Sequence, residues 1–171
     1  MISSTKRKNR TVLKLAATIG CILPFVNTAS ATTTTSKFTV QVTIGAACTI
    51  NSAPTLDFGS QGVLTANVDQ TSTLDIQCTN STPYTIGLDA GTGTGATVAV
   101  RKMTSGVNTV NYMLYSDSSR TSVWGNTVGT DTLANSGNGA SQYYTVYGRV
   151  PAQTTPAPGT YTDTVTVTVA Y

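Results

Sequence analysis

The last residues of the chain, Tyr161–Tyr171, alternate without a slip. Tyr161, Val165, Val167, Val169 and Tyr171 share one parity, with Asp163 the single exception. Thr162, Thr164, Thr166, Thr168 and Ala170 share the other. A period of two puts every second side chain on one face of an extended strand, whereas a helix would scatter the same residues around its whole circumference. Thr and Val, branched at Cβ, also fit a pleated surface better than a helix. Phe38–Ile44 repeats the grammar, with Phe38, Val40, Val42 and Ile44 on one face and Thr39, Gln41 and Thr43 on the other. Two strands with one apolar face each therefore bracket the chain.

Shorter runs lie between them. Cys48–Ile50 and Thr55–Phe58 read as strands around the break Asn51–Pro54. Leu74, Ile76 and Cys78 alternate, as do Tyr84, Ile86 and Leu88, so 71–78 and 83–89 are expected to be antiparallel neighbours across the turn residues Asn80–Pro83. Further strands are expected near Ala96–Met103, at 110–116 and at Gln142–Val150. Thr127–Ser141 reads as a long polar loop and Pro151–Gly159 as a stiff connection. Seven or eight short strands and no helix after residue 31 make an all-β sandwich. Composition agrees, since 31 of the residues after Ala31 are Thr and Glu is absent, which removes helix formers and supplies strand formers.

Residues 1–31 stand apart. Lys6, Arg7, Lys8 and Arg10 precede an apolar run from Val12 to Val26, and Ala29-Ser30-Ala31 is a small-x-small site. That order is a secretory signal peptide, removed after Ala31. The run is too short, with Pro24 near its end, for a membrane-spanning helix. What remains carries five Lys or Arg against seven Asp, a net charge of −2, so the +3 of the whole chain belongs to the precursor. A nucleic-acid partner has no support, because that polyanion needs clustered cations. Cys48 and Cys78 are then an even pair in an exported chain, and a disulfide is the default. Closing a loop of that length stabilises by roughly 3–4 kcal/mol in the chain-entropy view.

The chemistry of catalysis is missing. The chain has no His and no Glu, so Ser-His-Asp and Cys-His arrangements cannot be built, and two Cys without His make no standard zinc site. The seven Asp are scattered, mostly near expected turns. Gly91–Gly95 lacks the βαβ setting of a phosphate-binding loop and reads as a turn. Trp124 reads as core or packed interface rather than a binding aromatic. No enzyme activity and no cofactor are expected.

Periodicity leaves two uses for Phe38–Ile44. It is an ordinary strand of a self-contained sandwich, or a strand given to another chain's open sheet, with main-chain bonds for affinity and alternate side chains for register. Burying its four apolar side chains is worth on the order of 6–12 kcal/mol, against about 1–2 kcal/mol per residue for ordering the backbone.

Several short pieces, in order, resemble the archaic chaperone–usher pilus subunits, the spore coat protein U domain family. They are Phe38–Ile44 before Cys48; Leu56-Asp57-Phe58-Gly59; Leu74–Cys78 followed by Pro83–Ile86; Arg101 with Met103; Tyr112–Asp117 with Arg120-Thr121 and Trp124-Gly125; and Pro158–Val169. The resemblance implies an incomplete immunoglobulin-like β-sandwich completed by a donor strand from a neighbouring subunit. It divides the chain into a signal peptide (1–31), a donor-strand segment (32–46) and a pilin domain (47–171). Phe38, Val40, Val42 and Ile44 would be the donor residues. Val165, Val167, Val169 and Tyr171 would edge the acceptor groove and meet the chaperone, and Cys48–Cys78 would be the family's disulfide. The implied partners are a periplasmic pilus chaperone, an outer-membrane usher and copies of the chain or related subunits. The implied route is export to the periplasm and then to a surface pilus serving adhesion and biofilm formation. The alternative is a self-contained secreted coat or adhesive protein that does not polymerise by strand exchange.

Overall fold

A computed structural model describes residues 29–171; most of the expected signal peptide lies outside them. The chain divides into two units, Met1–Gln41 and Val42–Tyr171. In the first, residues 29–41 are exposed throughout and carry no strand or helix. The second contains eight strands: β1 (Cys48–Ser52), β2 (Val68–Cys78), β3 (Pro83–Leu88), β4 (Arg101–Ser105), β5 (Asn108–Tyr115), β6 (Leu133–Ser136), β7 (Ser141–Val150) and β8 (Val167–Ala170). All pairings between these strands are antiparallel. One sheet runs β1-β2-β7-β5-β4 and the other β6-β3-β8.

The two sheets close on one core. Alternating residues of β2, β3, β5 and β7 turn inward: Leu74, Ile76 and Cys78; Tyr84, Ile86 and Leu88; Val110, Tyr112 and Leu114; Tyr144, Val146 and Val150. Trp124 is fully buried among them, and its indole N–H donates to the Ile86 carbonyl at 2.8 Å. The lone Trp is therefore core, as expected.

The expected pairing of 71–78 with 83–89 is not what forms. Both edges of β2 are taken, by β1 on one side and by ten residue pairs with β7 on the other. β3 finds no free edge there and joins β6 and β8 in the opposite sheet. The turn between them, with Ser81 at φ 62°, is an arch from sheet to sheet and not a hairpin. Three other expectations also shift. Residues 55–58 carry no strand, the strand near 96–103 begins only at Arg101, and the polar stretch 127–141 contains β6.

Cys48 and Cys78 are register partners at the end of the β1–β2 ladder and form a disulfide, with Cα atoms 4.1 Å apart. The bond pins the start of β1, and so the point where the sandwich begins.

Candidate functional site: an open groove along the sandwich edge

The C-terminal segment serves two sheets in turn. Thr162 exchanges both backbone hydrogen bonds with Thr104 of β4, at 2.8 and 3.1 Å. Four residues later the Thr166 carbonyl accepts from Asp89 N–H, and Thr166 N–H donates to the Asp89 carboxylate. β8 then pairs with β3 from Val167 to Ala170. Along this strip burial follows the sequence parity: Tyr161, Asp163, Val165, Val167 and Val169 are half-buried, and Thr162, Thr164, Thr166, Thr168 and Ala170 are exposed. Backbone polar groups alternate in direction along a strand. With the even-numbered residues bonded toward β4 and β3, the N–H and C=O of Val165, Val167 and Val169 point to the other edge. Among the described residues, β8 has no strand partner there.

Beyond that edge lies a groove of about 1080 Å³. Residues 53–62 form its far rim and 155–165 with Val167 its near rim. Its floor is core: Leu74, Leu88, Val110, Leu114, Val146 and Val150 among others. The far rim is held in place by an absent side chain. A Cβ on Gly148 of β7 would stand 2.8 Å from Leu56 Cδ1 and 2.9 Å from Phe58 Cζ, so only glycine lets these two side chains settle there. Asp57 turns the rim back, its carboxylate accepting from Gly59 N–H at 2.8 Å.

One polar group interrupts the apolar lining. Asp163 Oδ2 accepts from the Tyr112 hydroxyl at 2.8 Å. Asp163 Oδ1 accepts from Thr92 N–H at 2.7 Å, from the Thr92 hydroxyl at 2.8 Å and from Thr164 N–H at 2.8 Å. Burial pushes the Tyr112 hydroxyl far up from its ordinary range, and its bond to Asp163 adds to that. The 91–92 turn must come close, and a Cβ on Gly91, at φ 76°, would collide with the Asp163 carboxylate.

Behind this corner sits a fully buried cation. Arg101 donates to the carbonyls of Asp89 (2.7 Å), Val98 (2.9 Å), Leu88 (2.9 Å) and Trp124 (2.8 Å). Burial lowers its pKa, against the neighbouring Tyr112, Asp89 and Asp163, yet an arginine stays charged. Burial pushes the Asp89 carboxyl up, and hydrogen bonds from Thr166 and Gly91 outweigh this, so it sits below the ordinary range.

The expected site residues fall as follows. Phe38, Val40, Val42 and Ile44 are exposed at 87, 83, 80 and 76 % and belong to no strand. Val165 and Val167 line the groove. Val169 packs against the core outside it, and Tyr171 is exposed at the terminus. The far rim, Tyr112 and Asp163 are groove residues that the sequence did not single out. Their signals were the Leu56/Phe58 alternation before Gly59 and the polar exception in the closing strand.

An immunoglobulin-like β-sandwich with a long groove along one unpaired sheet edge is the class that this fold and site define. The chain belongs to the Spore Coat Protein U domain family, whose profile matches residues 34–168. It is 35 % identical over 171 residues to Protein U of Myxococcus xanthus, covering 91 % of this chain and 95 % of that protein. The fold is also similar, with a TM-score of 0.55 and 28 % identity, to a chain in the CsuC–CsuE chaperone–tip adhesion subunit pre-assembly complex from the archaic chaperone–usher Csu pili of Acinetobacter baumannii. That match covers 75 % of this chain and 40 % of the neighbour, so this chain spans less than half the neighbour's length.

Proposed function

We propose that this chain is a structural subunit of a surface pilus, assembled by the chaperone–usher route through donor-strand exchange. The observation that carries this reading is one chain holding both halves of a joint. An apolar groove lies open beside an unpaired strand edge, and a segment with four alternating apolar side chains stands exposed. Residues 38–44 of one copy would lie between the 53–62 rim and the 161–167 strip of the next. Phe38, Val40, Val42 and Ile44 would enter the groove while their backbone pairs with Val165 and Val167. Thr55–Phe58 has strand composition but no ladder, because the strand it would pair with is the incoming one. The family profile begins at residue 34 and so takes in the segment as part of the domain.

An open edge of this kind attracts other edges. Until a neighbour arrives, a periplasmic chaperone would cover the groove with a strand of its own; the Csu tip adhesion subunit is likewise held by a chaperone in a pre-assembly complex. An outer-membrane usher would then exchange that strand for the next subunit's residues 38–44. Residues 1–31 would direct export to the periplasm, and the pilus would serve adhesion and biofilm formation. The family's description, Spore Coat, favours a second reading: a secreted coat protein that does not polymerise by strand exchange.

The test moves the segment. Residues 36–46 are removed from the front of the mature chain and attached after Tyr171 through a flexible linker. A monomer that melts well above the front-deleted chain is the expected result. A front-deleted chain that is already a stable monomer, unmoved by the graft, would sink the exchange reading in favour of the coat protein.

A further inference from the structure

We propose that Asp163 sets the register of the inserted strand by admitting only a small side chain beside it; this rests on the strand-exchange reading above. The strip offers four inward positions to the groove: Tyr161, Asp163, Val165 and Val167. The leading segment offers four of its own, Phe38, Val40, Val42 and Ile44. Each set spans about 20 Å at roughly 3.3 Å per residue, so full overlap matches them one to one. Run antiparallel, Phe38 meets Val167 and Val42 meets Asp163. Run parallel, Ile44 meets Val167 and Val40 meets Asp163. In either direction the carboxylate meets a valine, because Phe38 and Ile44 occupy the ends.

Asp163 cannot swing away to make room. Its two oxygens already accept four hydrogen bonds, from Tyr112, from Thr92 twice and from Thr164. The backbone of Gly91 closes against its far side. Directly opposed residues on neighbouring strands have Cβ atoms about 5 Å apart, so a ring or a longer branched chain would press on a fixed, polar wall. A two-residue slip one way brings Ile44 (antiparallel) or Phe38 (parallel) onto Asp163. A slip the other way sets Val167 opposite Ser36 (antiparallel) or Ala46 (parallel), with no large apolar partner. Asp163 therefore blocks the one slip that loss of contact does not penalise strongly, since that slip would carry an apolar residue on to Val169.

Disulfide trapping between two populations of the full chain reads the register. One population carries Val167→Cys; the other carries Phe38→Cys, Val40→Cys, Val42→Cys or Ile44→Cys. The expected result is a single cross-link, to position 38 or to position 44, which also gives the strand direction. With Asp163→Ala added to the first population, a second cross-link should appear, to position 40 if antiparallel or position 42 if parallel. A second variant leaves the accepting domain untouched. Val42→Phe if the strand runs antiparallel, or Val40→Phe if it runs parallel, should slow trapping by about tenfold, and the other of these two substitutions should slow it much less. One register in both backgrounds, or equal slowing by the two Phe variants, overturns the proposal while strand exchange stands. Absence of any cross-link in any pairing overturns strand exchange itself, and the register proposal with it.

Discussion

The two ends of this chain share a sequence grammar and meet opposite fates. Residues 161–170 and 38–44 both alternate Val with Thr or a similar polar residue. The first is half-buried on every second residue, bonded to β4 and then to β3. The second is exposed on both faces and paired with nothing among the described residues. Alternation thus specifies which face of a strand is apolar, but it says nothing about where the partner is. The partner is set by which edges remain free once the long ladder β2–β7 and the disulfide-tied β1–β2 pair have formed. The C-terminal end finds β3. At the other end an apolar face stands exposed, and that exposure is what the strand-exchange proposal uses.

The paired end is most vulnerable where it is anchored. Arg101 satisfies four carbonyls, two of them at the end of β3 and just beyond it, and the β3–β8 ladder depends on that end. Methionine in its place would leave buried carbonyls without donors, each costing about 1–3 kcal/mol. Arg101→Met should therefore lower unfolding stability by about 3–5 kcal/mol in a denaturant melt. A loss below about 1 kcal/mol would mean that water enters to replace the guanidinium. Next come matched substitutions at the two ends. Val167→Asp places a charge on the half-buried face of β8 and should cost about 2–4 kcal/mol. Val40→Asp, in the exposed segment, should leave the monomer's melt unchanged while abolishing assembly. Equal stability losses from the two would mean that the leading segment packs on its own domain after all.

Much of the architecture was legible because it is local. Period-two alternation located β2 and β3, strands were also expected at 110–116 and Gln142–Val150 where β5 and β7 lie, and the parity of the closing segment matches its half-buried face from Tyr161 to Val169. Asp163, the one exception to that parity, faces inward like its neighbours, with Tyr112 and Thr92 to receive it. Apart from the late start of β4 at Arg101, the departures were questions of partnership. The β2–β3 turn looks like a hairpin from Asn80–Pro83, but β2 has no edge to spare. The β6 strand, Leu-Ala-Asn-Ser, has no alternation to announce it and exists because β3 needs a neighbour at Pro83–Ile86. Thr55–Phe58 has strand chemistry and no strand, because no strand among the described residues runs beside it. The position of the groove, centred on 155–165 rather than toward Tyr171, followed from the switch between sheets at Thr162–Thr166, which leaves no mark in periodicity.

The smallest effect expected is the most selective between the two ends, because the ionisable groups sit almost entirely on one of them. Asp89 is held below the ordinary carboxylate range despite burial, by Thr166 and Gly91. Its folded pKa is below its unfolded value of about 3.9, so the stability it supplies is present above that pH and is lost as pH falls through the folded value. Tyr112 runs the other way. Burial and its bond to Asp163 raise it above the unfolded value of about 10, so its contribution is full below that pH and is lost as pH rises beyond it. The β8 side of the domain should therefore melt at a constant temperature between about pH 5 and pH 9 and lower on either side. Asp89→Asn should make the acid limb shallower, and Tyr112→Phe the alkaline one, with Asp69, also held low, and Tyr84, also pushed up, supplying the remainder. The leading segment, residues 32–46, stands exposed and has no carboxylate and no tyrosine, so deleting it should leave both limbs of the melt where they are; a limb that moves with the deletion would mean that the segment packs against these groups in its own domain.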